Sequence, residues 1–149
     1  MIVMNISIRL CSPLFALALF STLMIGCGSP VREDDNRTAQ MSFDEAVPLI
    51  DAENYQQALP LLEKSIAAGG LSADIYAVAL LLRSRCYCDK GEIEKAQADL
   101  NHAEQGSPNT AQLLLAKGTL LAKQGKQAES DTAFKAAKKA DPSIKLPKQ

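Results

Sequence analysis

The fold is decided by residues 77–110, AVALLLRSRCYCDKGEIEKAQADLNHAEQGSPNT, and by residues 111–144, AQLLLAKGTLLAKQGKQAESDTAFKAAKKADPSI, because the second stretch repeats the pattern of the first. A shift of 34 residues aligns positions of similar size or backbone preference: Leu80 with Leu114, Gly91 with Gly125, Leu100 with Phe134, Ala103 with Ala137 and Pro108 with Pro142. An earlier unit, residues 39–72, follows the same pattern when Ala58 is aligned with Ala96, and four extra residues then separate it from the second unit. Self-similarity at this spacing predicts an array of stacked structural units.

The sizes of the side chains at fixed positions support this register. The eighth, twentieth and twenty-seventh positions of the three units hold nine small residues: Ala46, Ser84, Gly118, Ala58, Ala96, Ser130, Ser65, Ala103 and Ala137. Only 41 of the 149 residues are Ala, Gly or Ser, so nine small residues at nine fixed positions are far more than composition alone predicts. The eleventh and twenty-fourth positions instead hold large side chains: Leu49, Tyr87, Leu121, Leu62, Leu100 and Phe134. Small residues opposite large ones let two helices interdigitate, so each unit is predicted to be a helix hairpin.

A period of 34 residues built from helix–turn–helix units is typical of the tetratricopeptide repeat (TPR), and the chain resembles that family. The resemblance implies an all-α fold, a right-handed α–α superhelix of three TPR hairpins at residues 39–72, 77–110 and 111–144, followed by a tail at 145–149. The helices are predicted at residues 42–52, 54–68, 73–89, 92–105, 109–123 and 126–140. The seventh position departs from the usual Leu of the family, since it holds Glu45, Arg83 and Lys117.

The N-terminal residues precede the repeats and resemble a secretory address. Arg9 comes before an apolar stretch of 12 residues, 14–25, which is shorter than the roughly 20 residues that span a bilayer as a helix. The stretch ends in Leu-Met-Ile-Gly-Cys at residues 23–27, which resembles the lipobox of bacterial lipoproteins. The resemblance implies a signal peptide at residues 1–26 and lipid attachment at Cys27. The alternatives are an uncleaved membrane anchor and plain secretion.

The residue after the lipidated cysteine and the charged segment that follows carry two further expectations. Because Gly28 stands where an Asp signals retention in the inner membrane of enterobacteria, the resemblance favours the outer membrane. Residues 27–38 have few apolar side chains and no hydrophobic period, so they are expected to form a flexible tether.

The resemblance also implies a concave groove lined by the first helix of each hairpin. The expected protein-binding residues in this groove are Phe43, Val47, Ile50, Val78, Leu81, Arg85, Cys88, Leu115, Thr119 and Lys123. This lining is mainly apolar, which suits an amphipathic helix or an extended apolar peptide. Only Arg85 and Lys123 are basic, so a clamp for the terminal carboxylate of a peptide is not expected. The alternative is that these side chains pack on one another or on the chain's own tail.

The C-terminal end of the array is expected to lack the length for a capping helix, because only residues 143–149 remain after Pro142, which breaks the last helix. The last hairpin is therefore expected to show an open apolar face formed by Leu113, Leu120, Ala133 and Ala136. Either Ile144 and Leu146 fold back over that face, or a partner or a second copy of the chain covers it. Deletion of residues 143–149 is then expected to promote self-association, and a homo-oligomer through this open end is one expected partner arrangement.

Charge and reactive residues exclude several classes of function. The formal net charge is −1, whereas nucleic-acid binders are usually strongly basic. Residues 27–75 carry a net charge of −6 and residues 76–149 a net charge of +4. The basic half either attracts an acidic partner or lipid headgroups, or its lysines interact with helix dipoles and keep the helix ends soluble. No phosphate loop, nucleophile elbow or calcium loop is present, so neither catalysis nor a cofactor is predicted.

The cysteines of the third helix do not predict a metal site. Cys86 and Cys88 lie two residues apart, and helix geometry places them about 200° apart around the axis. The chain has a single histidine, His102, whereas structural zinc sites need four ligands. In the oxidising environment that export implies, a groove-facing Cys88 is instead a candidate for intermolecular disulfides.

The sequence therefore predicts a TPR protein-interaction adaptor or scaffold, lipid-anchored in a bacterial cell envelope, which binds a peptide or helix of a partner protein. Two alternatives remain open at this point. One is a structural homo-oligomer, and the other is a non-catalytic accessory subunit of an envelope complex.

Overall fold

The structure, a computed structural model, describes residues 33–106 and 109–147, and within these ranges it contains helices and no strand. The helices are α1 (Glu33–Asp51), α2 (Tyr55–Ala68), α3 (Ala73–Lys90), α4 (Ile93–Gln105), α5 (Thr110–Lys123) and α6 (Gln127–Ala140). They pack as three hairpins, α1 with α2, α3 with α4 and α5 with α6, and the hairpins join through α2 against α3 and through α5 against both α3 and α4. The predicted all-α, TPR-like array is confirmed.

The start of α1 differs from the prediction, while the other five helices begin and end within one residue of it. The segment 33–38, expected to be flexible, is helical, and the prediction of a tether there is wrong. Three acidic side chains lie in the first turn, where they interact favourably with the positive end of the helix dipole: Glu33, Asp34 and Asp35. Further along, Ala39 is buried and its carbonyl accepts a hydrogen bond from Ser65 Oγ at 2.7 Å, so α2 holds the added turns in place. The expected signal peptide and Cys27 lie outside the described residues.

The turn inside each hairpin has the same backbone hydrogen bond, which shows the repeat at the level of the main chain. The carbonyl of the eleventh position accepts from the N–H five residues later: Leu49 from Asn54 at 2.7 Å, Tyr87 from Glu92 at 2.9 Å and Leu121 from Lys126 at 2.9 Å. The residue before each donor is left-handed, with φ 80° at Gly91 and 77° at Gly125. In the first hairpin Glu53 occupies this place with φ 58°, a conformation that costs a non-glycine residue about 1–2 kcal/mol.

The nine small positions all lie between packed helices and are all buried. Two of their serines also donate across the hairpin to a carbonyl at another small position. Ser84 Oγ donates to the carbonyl of Ala96 at 2.9 Å, and Ser130 Oγ donates to that of Gly118 at 2.8 Å. The two bonds run in opposite directions between the same pair of positions. In the second and third hairpins a buried serine hydroxyl therefore finds its hydrogen-bond acceptor on the partner helix, which reinforces the close helix contact.

The third hairpin has the largest of the three side chains at the twenty-fourth position, Phe134, and the smallest residue at the eighth position, Gly118. A Cβ added to Gly118 would lie 2.6 Å from Cε1 of Phe134, far inside contact distance. The first hairpin has Ala46 and Leu62 at the corresponding places. The Phe134 ring therefore fits in the third hairpin because Gly118 has no methyl group.

The unusual seventh position of the second unit is explained by an ion pair. Arg83 donates from Nε and Nη2 to the two carboxylate oxygens of Asp99, both at 2.7 Å, and so joins α3 to α4. The hydrogen bond to Asp99 raises the pKa of Arg83 above its usual value. The guanidinium also lies 5.6 Å from the ring centroid of Tyr87, whose hydroxyl donates to Glu63 at 3.0 Å. A polar network that extends to α2 thus takes the place of an apolar side chain.

The Gly118 contact yields a stability prediction. Gly118→Ala is expected to lower the free energy of unfolding by about 1–2 kcal/mol, although Ala is the better helix former, because the new methyl group overpacks the Phe134 ring. The double variant Gly118→Ala/Phe134→Leu reproduces the pair of the first hairpin. It is expected to be about as stable as Phe134→Leu alone, because the smaller Leu side chain leaves room for the new methyl group. Urea denaturation followed by circular dichroism measures all three variants. Strictly additive losses would show that the two positions do not share one packing constraint.

Candidate binding groove

The residues predicted to line the groove fall into two groups in the structure. Five are buried: Ile50, Leu81, Arg85, Cys88 and Leu115. Phe43, Val47, Val78 and Thr119 are partly buried, and Lys123 is exposed. Phe43, Val47 and Val78 pack against the main hydrophobic core that α1–α5 share. Much of the predicted lining therefore contributes to the fold, as the self-packing alternative expects, and its fully exposed member, Lys123, lies on α5.

The chain turns back on itself after α6, and we call residues 141–147 the terminal segment. Asp141 Oδ1 accepts from the backbone N–H of Ser143 at 2.8 Å and from its hydroxyl at 2.6 Å. Lys138 Nζ donates to the carbonyl of Pro142 at 3.1 Å. The hydrogen bonds from Ser143, that of its hydroxyl first, hold the pKa of Asp141 below its usual range. The turn reverses the chain, so that Ile144 packs back on α5 and α6.

Ile144 anchors the terminal segment in the third hairpin. It is 6% exposed and belongs to a small apolar cluster with Ala111, Leu115, Phe134 and Ala137. Leu146 is 37% exposed, so the second apolar side chain of the segment is held much less firmly. The segment thereby covers Leu115, a predicted groove residue.

The end of the terminal segment continues along the same helix. Pro147 lines one cavity with Thr119, Ala122 and Lys123, and a neighbouring cavity with Arg85. Residues 144–147 have no helical or strand structure. A non-helical stretch of the chain's own sequence therefore occupies the α5 side of the predicted groove.

The expected open apolar face at the end of the array is not present. Leu120 and Ala133 are buried, and Leu113 and Ala136 are partly buried. Leu113 and Leu120 belong to the main core, because α5 directs them toward the preceding hairpin and not toward solvent. Among the described residues, the exposed large hydrophobic side chains are Met41 and Leu146. Nothing in this part of the chain favours a homo-oligomer formed through this end.

A cavity of about 600 Å³ lies between the terminal segment and the rest of the groove. Its walls are residues 50–53 at the turn between α1 and α2, Arg85 of α3, Gln112 and Leu115 of α5, and the terminal segment itself. Arg85 is 8% exposed, and its Nη2 donates to the hydroxyl of Tyr55 at 3.3 Å. Nε of Arg85 and Oε1 of Gln112 are both buried without a hydrogen-bond partner. This polar corner was not apparent from the sequence, because Tyr55 belongs to the second helix of another hairpin.

The two thiols of α3 are less accessible than the sequence suggested. Cys86 and Cys88 are both buried, and burial raises the pKa of Cys86 to about 12 and that of Cys88 to about 11. Because the thiolate is the reactive form, the expected intermolecular disulfide through Cys88 is disfavoured in the folded chain. His102 is exposed and packs edge-on against Tyr76, with 5.6 Å between ring centroids.

The described part of the chain contains neither a metal-binding cluster nor a membrane-spanning helix. Residues 33–106 and 109–147 contain no group of three or more His, Cys, Asp or Glu side chains arranged to hold a metal ion. Within the same ranges, no helix has the length and hydropathy needed to cross a bilayer.

A pair of matched substitutions tests how the terminal segment is anchored. Ile144→Asp is expected to cost about 2–3 kcal/mol or to release the segment, because it places a charge in an apolar cluster. Leu146→Asp, the same change two residues later, is expected to cost less than about 1 kcal/mol, since this side chain is already partly in solvent. Amide hydrogen exchange at positions 144 and 145 measures the release of the segment in both variants, and urea denaturation measures their stability. Equal effects would contradict the anchoring role of Ile144.

The chain resembles a curated protein by sequence. Human tetratricopeptide repeat protein 34 is 34% identical to it over 112 residues, which are 71% of this chain and 19% of that protein. The chain thus spans about a fifth of the relative it matches. No protein-family profile and no solved structure matches it. Together with three hairpins that share one turn and one set of small contact positions, this likeness identifies the chain as a TPR-like helical repeat protein.

Proposed function

We propose that the chain is a protein-interaction adaptor that binds a segment of a partner protein in its concave groove and is held at a bacterial membrane by a lipid on Cys27. Helical repeat arrays present extended concave surfaces to other proteins, and the TPR-like fold places this chain in that class. The observation that carries the proposal is the position of the terminal segment. A surface that already holds residues 144–147 through Ile144 has the shape and the apolar character that a peptide segment needs.

The membrane part of the proposal rests on the sequence. Residues 23–27 resemble a lipobox, and Gly28 favours the outer membrane. Because α1 begins at Glu33, only residues 28–32 separate the lipidated cysteine from the first helix. Such a linker reaches at most about 20 Å when fully extended. The repeat array would therefore work within one protein diameter of the bilayer, where its partner is expected to be an envelope protein.

Lipid attachment is tested by replacing each N-terminal cysteine in turn. In a Gram-negative host fed with labelled palmitate, the full chain and the control Cys11→Ser are expected to take up label and to fractionate with membranes. Cys27→Ser is expected to lose both properties, because Cys27 is the proposed attachment site. Label that persists in Cys27→Ser, or that is absent from the unaltered chain, contradicts the anchor.

Partner binding is tested by site-specific photo-cross-linking in native membranes. A photoreactive residue at Lys123, which is exposed and lines the groove, is expected to give a discrete adduct. The control is the same residue at Glu94, which is exposed on α4 and lines none of the cavities beside the terminal segment. Adducts of equal yield at both positions, or none at either, argue against binding through the groove.

A further inference from the structure

The groove has an apolar part that the chain itself fills and a polar part that it leaves unfilled. The terminal segment supplies Ile144 to the cluster around Leu115 and Phe134. The adjoining cavity of about 600 Å³ stays open, although Lys145 and Leu146 of the segment line it. An occupant that matched the whole groove would fill both parts.

Arg85 is the group in this cavity that most needs a partner. It is more than nine-tenths buried, yet no carboxylate of the described residues lies within salt-bridge distance of it. Its contacts are the Tyr55 hydroxyl and the Tyr55 ring, whose centroid lies 5.8 Å from the guanidinium carbon. Its Nε–H is buried and donates to no atom of the described residues. A buried guanidinium in this state is costly, and a carboxylate that accepts from Nε removes that cost.

Gln112 indicates what the rest of the occupant is. Its amide oxygen is also buried without a partner, in the wall of the same cavity. A peptide backbone offers a donor and an acceptor at each residue, and so satisfies an amide beside the carboxylate site. A free phosphate would pair with Arg85 but would leave Ile144 in place and the apolar part unchanged. The groove thus matches a peptide with an acidic side chain better than it matches an isolated anion.

We propose that the partner segment of the groove is an extended acidic peptide, whose apolar side chain takes the place of Ile144 and whose carboxylate binds Arg85, and that the terminal segment must be displaced before it can bind. This inference rests on the proposed adaptor function and specifies the ligand. The terminal segment acts as a resident competitor that shares the apolar anchor but has Lys145 where the partner has a carboxylate. The net charge of +4 over residues 76–149 favours the approach of an acidic segment.

Asp51, Glu53 and Asp141 are the carboxylates of the cavity wall, and they provide the opposing expectation. If their field dominated, a basic segment such as the wild-type terminal sequence would be the preferred ligand. Asp141 already accepts hydrogen bonds from Ser143. Because the Arg85 guanidinium is buried, it attracts a carboxylate in direct contact more strongly than an exposed guanidinium would. The charge preference of the groove is therefore the property to measure.

The probes are three heptapeptides based on residues 143–149: the natural sequence Ser-Ile-Lys-Leu-Pro-Lys-Gln and versions with Lys145→Glu or Lys145→Gln. Each is titrated at one fixed salt concentration into the ¹⁵N-labelled full chain, into full chain with Ile144→Asp, which unseats the terminal segment, and into that variant with Arg85→Gln or Arg85→Lys. Chemical-shift changes give the Kd and show whether Gln112 and Leu115 are at the contact.

The Glu peptide is expected to bind the Ile144→Asp chain about tenfold more tightly than the Gln peptide, the scale of one charge-assisted hydrogen bond. Arg85→Gln should abolish this preference, and Arg85→Lys should retain part of it. The unaltered chain should bind the Glu peptide about tenfold more weakly than the Ile144→Asp chain, since the terminal segment competes at a high effective concentration.

Three outcomes would overturn the inference. They are equal affinity for the Glu and Gln peptides, tighter binding of the natural Lys peptide, and equal affinity of the unaltered and Ile144→Asp chains. The comparison of peptides on the Ile144→Asp chain decides the charge preference even if the Arg85 variants fail to fold. If the Lys123 adduct forms in native membranes and is unchanged by Arg85→Gln, the adaptor function stands and this ligand chemistry is wrong.

Discussion

The structure depends on close contact between paired helices, and small side chains make that contact possible. Each hairpin has Ala, Ser or Gly at three fixed positions, and every one of these residues is buried. In each unit a larger side chain fills the space that the small residues leave: Leu62 in the first, Leu100 in the second and the Phe134 ring over Gly118 in the third. Because the space is shared, a change on one helix is felt directly on its partner. The array therefore keeps its pitch although the identity of most residues differs between units.

Polar links replace apolar packing where the sequence departs from the usual pattern. Arg83 and Asp99 form a two-bond ion pair between α3 and α4, and the stacked Tyr87 extends it to Glu63 on α2. Such a network stabilises the fold only while every member keeps its partner, and it specifies which surfaces face each other. Arg85 stands two residues away on the same helix and forms no ion pair with a carboxylate of the described residues. The contrast between these two arginines distinguishes a group that belongs to the fold from the one to which we assign a ligand.

The terminal segment follows from the same packing. Among the described residues, Ile144 packs on the cluster around Leu115 and Phe134, and the turn at Asp141 brings it there. A short stretch without helical or strand structure thus covers this apolar cluster. That solution leaves a partly exposed Leu146 and a cavity beside the segment, both consistent with a weakly held element. A weakly held element in a groove is what a competing peptide can displace.

The sequence by itself determined the six helices, their pairing and the register of the small positions, because these follow from local periodicity, from glycines at left-handed turns and from residue size. It also indicated which side of α5 faces a groove. It failed at the start of α1, where Ser65 and the packing of Ala39 extend a helix into a segment of polar composition. It also failed at Leu113 and Leu120, where the orientation of α5 against the preceding hairpin decides burial. Only the tertiary structure placed Ile144 on Leu115 and brought Arg85 beside Tyr55, because these contacts join residues about 30 apart in the chain whose meeting depends on how the hairpins stack.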